Sequence, residues 1–220
     1  MSVWLTIPSA RPWSQTREVF NKWVKQGYFL KIWFDHDRRV YPGYSVAVNT
    51  LIRECMLADP HAEWFVIGGD DVTPDPDHKA ETIAKELKQL FNGTYGVMQP
   101  TGDRFAQGSI DRICGSAWIG REFARRIYGG KGPLWPEYTH MFADEELQEV
   151  AQKYGVFWQR PDLVHLHDHF MRESRALDSR AVQRPVPPHL AKWNTQEHWD
   201  QSKAIFTQRK REGFPGSEPL

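Results

Sequence analysis

Short apolar runs alternate with longer amphipathic segments along the first half of the chain. The apolar runs, which are typical of buried strands, cover residues 3–7, 28–34, 64–67 and 94–100. The segments between them, which carry apolar residues at helical spacing, cover 13–27, 43–59 and 77–93. This order predicts an α/β fold: a Rossmann-like, three-layer α/β/α domain with a mainly parallel central sheet.

The second half of the chain is less regular. Helical spacing predicts helices over 116–130 and 143–155, and an extended segment follows at 156–170. Beyond residue 170 the apolar pattern thins and prolines accumulate. We therefore expect one domain over residues 1–170 and a C-terminal arm over 171–220, packed on the domain and fraying at its end.

Composition narrows the function classes. The chain has 220 residues, 40% of them hydrophobic, which is enough for one sizeable core. Lys+Arg and Asp+Glu both number 28, which argues against a protein that binds nucleic acid by charge alone. Cys55 and Cys114 are isolated in sequence, as expected for reduced thiols in a cytosolic protein.

The sequence does not predict a membrane protein. The first residues lack the basic start and long apolar stretch of a signal peptide, and no run approaches the roughly 20 apolar residues of a membrane span. We expect a cytoplasmic protein without a membrane span.

Acidic residues follow two of the predicted strands. Asp35 and Asp37 come after the second strand, and Asp70 and Asp71 after the third. Ligands of parallel α/β sheets bind beyond the carboxyl ends of the strands, so these carboxylates should converge at one edge. Adjacent carboxylates suit Mg²⁺ or Mn²⁺, although a run rich in Asp and Pro is also typical of a turn.

Two further groups of polar residues allow more than one interpretation. His165, His167 and His169 alternate along an extended segment and share one side, where they could complete a metal site or be structural. The run from Asp144 to Glu146 opens a predicted helix. Acids at that position stabilise the helix dipole, or one of them faces the cleft as a general base.

The order of these motifs resembles a GT-A glycosyltransferase of the family-2 kind. A first strand ends in Pro8, Ser9 and Arg11, and a third strand enters an acidic motif, Gly68-Gly69-Asp70-Asp71. Ala143-Asp144-Glu145-Glu146-Leu147 resembles the "E-D-x-E-L" segment that opens a late helix in that family. The resemblance covers roughly residues 3–170, and the shared order carries more weight than any single motif.

Two positions depart from the family pattern. Gly68 replaces the first acid of the D-x-D motif, which leaves Asp70, helped by Asp71, to bind the metal. Ala143 replaces the glutamate of the "E-D" pair, which leaves Asp144 as the expected base.

The resemblance implies a GT-A-like fold and the transfer of a sugar from a nucleoside diphosphate sugar, with UDP as the expected nucleotide, and inversion at the anomeric carbon. It implies Mn²⁺ or Mg²⁺ as cofactor, with ligands from Asp70, Asp71, His165 and His167. The acceptor hydroxyl belongs to a sugar, a lipid or a modified DNA base, and the host is a bacterium or a phage-infected cell. The residues expected to bind the donor are Pro8, Ser9, Arg11, Asp35, Asp37, Gly69, Asp70 and Trp118, of which Trp118 could instead belong to the core.

Three alternative functions compete with the interpretation as a glycosyltransferase. One is a nucleotide-binding module without transferase activity. Another is a transferase that acts on hydroxymethylated bases of viral DNA, because the arm combines basic residues with Trp193 and Trp199. The third is a metal-dependent hydrolase that uses the histidines.

Overall fold

The structure, a computed structural model, describes residues 1–35, 41–103, 113–169, 186 and 188–220. Among the residues singled out above, Asp37 lies outside these ranges. The beginning of the predicted arm, up to residue 185, lies outside them as well.

Within the described ranges, eight strands form two sheets. Their bounds are β1 Ser2–Ser9, β2 Phe29–Phe34, β3 Ala62–Val66, β4 Val72–Thr73, β5 Val97–Pro100, β6 Trp118–Gly120, β7 Phe157–Arg160 and β8 Leu166–His167. Six of the strands build the main sheet in the order β2-β1-β3-β6-β5-β7, and β4 pairs with β8 in a separate two-stranded sheet. In the main sheet β1 runs parallel to β2 and β3, and β5 runs parallel to β7. The predicted mainly parallel sheet is therefore confirmed.

Seven helices accompany the sheets in the part of the chain that the structure describes. They are α1 Trp13–Lys25, α2 Tyr44–Ala58, α3 Ala80–Leu90, α4 Arg121–Arg126, α5 Ala143–Lys153, α6 Pro188–Ala191 and α7 Gln196–Arg211. None of the described helices is long and apolar enough to cross a bilayer.

Side chains that alternate along the strands contribute to a hydrophobic core on each face of the sheet. On β3 and just after it, Trp64 and Val66 belong to one buried cluster, whereas Phe65 and Ile67 belong to the other. Neighbouring residues of a strand point to opposite faces, so an apolar run without alternation requires cover on both sides. This arrangement confirms the three-layer α/β/α prediction.

The segment 118–120 differs from its prediction. It was expected to begin a helix over 116–130, but it forms strand β6, which runs antiparallel between β3 and β5. Trp118 and Ile119 are fully buried, one in each core cluster, as in a central strand. The helix is shorter than predicted and begins only at Arg121.

The end of the arm packs against the domain. Helix α7 presents Arg209 to Glu146 of α5, with Nε to Oε2 at 2.8 Å and Nη2 to Oε1 at 2.7 Å. The Leu220 amide donates to the Arg126 carbonyl at 3.0 Å, and Arg126 Nε donates to the Leu220 carbonyl at 2.7 Å. An ion pair and main-chain hydrogen bonds thus attach the end of the arm, a segment with few apolar residues, to the domain.

Candidate active site

A cleft of about 630 Å³ opens where β1, β2 and β3 end. Its walls come from the segments that follow these strands, from the start of α5, from the histidine segment and from the arm. The volume lies in the range typical of pockets for organic ligands. The site therefore occupies the sheet edge that the sequence pattern indicated.

Asp70 is held by the last residue of β1, Ser9, and by Arg11, which follows the strand. Ser9 Oγ donates to Asp70 Oδ2 at 2.5 Å, and Arg11 Nε donates to the same oxygen at 3.0 Å. Arg11 Nη2 donates to the other carboxylate oxygen, Oδ1. Both oxygens of Asp70 are thus engaged by a cation of this chain, and the carboxylate fixes the position of Arg11.

Asp71 faces the histidine segment instead. Its Oδ1 lies 3.3 Å from His167 Nε2. The β4–β8 pairing sets this proximity, because Val72 lies opposite His167 and the Asp168 amide donates to the Asp71 carbonyl at 2.9 Å. Burial raises the pKa of Asp71, but the hydrogen bond and charge of His167 and the charge of Arg11 outweigh it and lower the pKa overall. A carboxylate oxygen and an imidazole nitrogen are consequently presented together at one point of the cleft.

Asp75 locks the histidine segment to the acidic loop. Its Oδ2 accepts from the Val164 amide at 2.8 Å, and its Oδ1 accepts from the amides of Asp77 and His78 at 2.8 and 3.0 Å. The sequence predicted a turn role for this region. The turn also holds His167 in register with Asp71.

The two glycines before Asp70 are required for different reasons. Gly68 has φ +153°, which side chains rarely adopt, and a Cβ there would lie 3.5 Å from the Gly115 carbonyl oxygen and from Ser116 Cβ. A Cβ on Gly69 would come within 2.5 Å of Asp71 Oδ1. Gly68 therefore meets a backbone requirement that an aspartate would not tolerate, and Gly69 leaves room for the Asp71 carboxylate.

Asp144 and Glu145, at the start of α5, line the same cleft. The Glu145 amide donates to Asp144 Oδ1 at 3.2 Å. Burial raises the pKa of Asp144, although its own amide and that of Glu145 partly offset the rise. Burial and the charge of Asp144 raise the pKa of Glu145 from its ordinary value of 4.5 to about 8. The start of α5 thus carries two carboxyl groups that hold protons more tightly than exposed ones do.

Glycine residues lie between Asp144 and the loop that carries Asp70 and Asp71. A Cβ on Gly115 would lie 4.0 Å from Asp144 Oδ2, and Gly115 itself packs against Gly68. The Tyr44 hydroxyl hydrogen-bonds the main chain of Gly68 and lies close enough to Asp144 for the charge of that carboxylate to raise its pKa. Small residues therefore keep Asp144 and the Asp70–Asp71 loop on the same cleft.

Comparisons with known proteins identify the architecture. The sequence matches no protein-family model and no curated protein significantly. Among solved structures, the catalytic domain of Drosophila beta1,4-galactosyltransferase 7, in complex with xylobiose, matches with TM-score 0.50 and 14% identity over 86% of this chain and 78% of that one. The chain has a glycosyltransferase-like fold.

Two weaker structural matches accompany it. A protein from STIV matches with TM-score 0.48 and 14% identity over 80% of this chain and 100% of its own. A glycosyltransferase involved in glycosylation of the major capsid of PBCV-1 matches with TM-score 0.37 and 12% identity over 55% of this chain and 60% of its own.

Most of the residues singled out in the sequence meet in the cleft. Those among its lining residues are Pro8, Ser9, Arg11, Asp35, Gly69, Asp70, Asp71, Asp144 and His167. They come from five separate stretches of sequence, which the fold brings to one edge of the sheet.

Two of the predicted ligand contacts lie elsewhere, and the prediction is corrected for both. Trp118 is fully buried in the central sheet, with its ring against Tyr28 at 5.5 Å, so it has no surface on which a sugar could stack. His165 is buried between Trp23 and Ser116, and its Nδ1 lies 2.9 Å from Ser116 Oγ. Burial lowers the pKa of His165 to about 4, as expected for a neutral core histidine.

Several lining residues were not identified from the sequence as parts of the site. They are Tyr44, His140, Phe142 and, as walls of this cleft, Trp193 and Trp199. The sequence could have indicated Tyr44 and Phe142 by their positions at helix starts. Tyr44 is the first residue of α2 and Phe142 directly precedes α5, and both helices begin at the cleft end of the sheet. The arm residues carried none, because their position depends on packing over a long sequence separation.

The raised pKa of Glu145 predicts a pH-dependent stability. Between pH 4.5 and 8 the folded state keeps a proton on Glu145 that the unfolded chain has lost, so this residue makes the free energy of unfolding decrease as pH rises. We expect Glu145→Gln to remove that decrease. Urea unfolding at pH 6 and pH 8 measures it: the variant should gain stability relative to the wild type at pH 8. An equal effect of Glu149→Gln, on the same helix, would contradict the assignment.

Proposed function

We propose that this protein is a glycosyltransferase that moves a sugar from a nucleoside diphosphate sugar to an acceptor hydroxyl. One observation carries the proposal: a single cleft is lined both by the Asp71–His167 pair and by the partly buried carboxyl group of Asp144. The fold shared with a galactosyltransferase catalytic domain supports it. The expected donor nucleotide is UDP, on the resemblance described above.

The donor set around Asp71 fits a divalent cation. Mn²⁺ accepts both carboxylate oxygen and imidazole nitrogen as ligands. In phosphate sites, Mg²⁺ and related ions take one or two protein ligands and complete their coordination shell with phosphate and water oxygens. Within the described ranges, no group of three or more His, Cys, Asp or Glu side chains forms a complete metal site. We therefore propose Asp71 and His167 as the protein ligands. Asp70 is instead held by Arg11 and Ser9.

When bound, the cation would neutralise the negative charge that develops on the leaving diphosphate. Arg11 supports the same end of the donor. Its guanidinium carries five N–H donors, two of which serve Asp70, and 31% of its side chain is exposed. The remaining donors bind phosphate oxygens, and Asp70 keeps the guanidinium from moving away.

Asp144 acts on the acceptor. Its carboxylate accepts the proton of the acceptor hydroxyl while that oxygen attacks the anomeric carbon of the donor. The bond between the anomeric carbon and the diphosphate breaks, the nucleoside diphosphate leaves with the electron pair, and the configuration inverts. Burial brings the pKa of Asp144 nearer to neutrality, which makes it a stronger base than an exposed aspartate.

Nucleotide binding tests the donor site. We expect at least one of UDP, GDP, CDP and TDP to raise the melting temperature in the presence of Mn²⁺ but not of EDTA. A nucleotide at about a hundred times its Kd stabilises a protein by about 2.7 kcal/mol. Asp71→Asn should lose the Mn²⁺-dependent part of the shift, because the pair with His167 loses its charged oxygen.

Asp77→Asn provides the matched control, since Asp77 is an exposed acid of the same loop outside the cleft. It should keep the full shift. The proposal fails if none of the four nucleotides stabilises the wild type, and the ligand assignment fails if Asp71→Asn retains the Mn²⁺ dependence.

A further inference from the structure

Aromatic residues from the arm, from the segment before α2 and from the segment before α5 line one part of the cleft. This aromatic wall consists of Tyr41, Phe142, Trp193 and Trp199. The Phe142 and Trp199 rings lie 4.8 Å apart, and the Tyr41 and Trp193 rings lie 5.6 Å apart. Trp199 is 40% exposed although it packs on Phe142. The Trp199 ring thus packs against Phe142, while part of it remains exposed.

The aromatic wall adjoins the proposed base. Phe142 precedes Asp144 by two residues and has a left-handed backbone, φ +69°, from which α5 begins. Phe142 also stacks on Phe206 of α7 at 5.4 Å, so the arm packs directly on the start of α5. Trp199 and Asp144 therefore line the same cleft, with Phe142 in contact with Trp199 and two residues from Asp144.

The charges of the cleft select among acceptors. Its described lining residues include six acids, Asp35, Asp70, Asp71, Asp144, Glu145 and Asp168. Arg11 is the only Arg or Lys among the lining residues in the described ranges, and it is paired with Asp70. A phosphate backbone needs unpaired cations along its path, which the described wall does not offer.

A neutral sugar ring matches both features. The C–H face of a pyranose stacks on an exposed indole, and its hydroxyl groups donate hydrogen bonds to carboxylates, which act only as acceptors when ionised. We infer that the acceptor is an uncharged saccharide and that Trp199 is the platform on which its terminal ring stacks. This inference rests on the proposed transferase function for the role of the bound sugar, whereas the binding itself is measurable separately.

Saccharide binding tests the inference directly. An array of neutral, carboxylated and sulfated glycans, together with single-stranded oligonucleotides containing 5-hydroxymethylcytosine, should show binding to neutral glycans only. For the best neutral glycan, saturation-transfer NMR on the full chain should show contact with the sugar ring protons. Trp199→Ala should weaken that binding at least tenfold, and Trp199→Phe should restore part of it.

Trp13→Ala is the matched control, because Trp13 is 45% exposed on α1 and does not line the cleft. It should bind the glycan as the wild type does. In every variant, Mn²⁺-dependent nucleotide stabilisation is measured in parallel and should be unchanged. Loss of nucleotide binding in the wild type would overturn the transferase proposal, not the saccharide site.

The opposite results overturn the inference. It fails if no neutral glycan binds, if anionic glycans or the oligonucleotides bind more tightly than neutral glycans, or if Trp199→Ala binds as well as Trp13→Ala does. Preference for the oligonucleotides would favour the modified DNA base as acceptor.

Discussion

Asp144→Asn is expected to lower the rate of sugar transfer by about 10²- to 10⁴-fold, the usual contribution of a general base. The amide keeps the size of the carboxylate and its hydrogen bond from the Glu145 amide, but it cannot take up a proton. Because the proposed donor ligands are Asp71, His167 and Arg11 rather than Asp144, nucleotide binding should not change. The effect should therefore appear in kcat rather than in the KM for the donor.

A matched control on the same helix separates catalysis from helix stability. Glu149→Gln changes an acid of α5 that pairs with Lys210 at the surface, and it should leave transfer unchanged. Initial rates with the nucleotide sugar identified by thermal shift, and with the best neutral glycan as acceptor, provide the measurement. Activity of Asp144→Asn within tenfold of the wild type, with the same Mn²⁺ dependence, would assign proton removal to another group.

Arg209→Met is expected to lower the free energy of unfolding by about 3–5 kcal/mol, the usual cost of removing one partner from a buried ion pair. Glu146 is fully buried, and Arg209 donates to it with two nitrogens. Tyr128 and Tyr138 also donate to the carboxylate, at 2.6 and 2.7 Å, but neither carries a positive charge. Methionine has a long side chain without charge, so it loses the stacking of the Arg209 guanidinium on Trp135 and leaves the charge of Glu146 uncompensated.

The next residue of α7 offers the control for this variant. Lys210 pairs with Glu149 at the surface, where half of the lysine side chain is exposed, so Lys210→Met should cost less than about 1 kcal/mol. Urea unfolding of both variants measures the difference. A double variant, Glu146→Leu with Arg209→Met, should recover part of the loss because the buried charge is gone. Equal effects of Arg209→Met and Lys210→Met would show that the buried pair does not anchor the arm.

The sheet and the helices of the first half could be predicted because local pattern and tertiary environment agree there. In α3, for example, the buried residues Ala80, Ile83, Ala84 and Leu87 repeat the helical spacing seen in the sequence. The acids after β2 and β3 could be placed at one edge for the same reason, since the polarity of parallel strands follows from their connections. No long-range information was needed for these steps.

The rest of the site depends on contacts between distant residues. Alternation placed His165, His167 and His169 on one side of a strand, but the depth of each side chain is set by the β4–β8 pairing and by Trp23, so His165 is in the core. Asp70 and Asp71 are neighbouring aspartates that the sequence alone cannot distinguish. Their roles differ because Asp70 pairs with Arg11 and Asp71 pairs with His167. Strand β6 has three residues, too few for any period to distinguish it from the start of a helix.

The short β4–β8 sheet has a consequence for the order in which the molecule becomes functional. Asp71 and His167 are distant in the chain, and the two-residue strands beside them pair only when the chain between them has closed into a loop. During synthesis, a nascent chain that has completed β3 already has its first parallel strands but not yet the proposed donor site. Under the proposed function, nucleotide binding is therefore expected to report on a late step of folding and to distinguish fully folded protein from chains in which only the first strands have assembled.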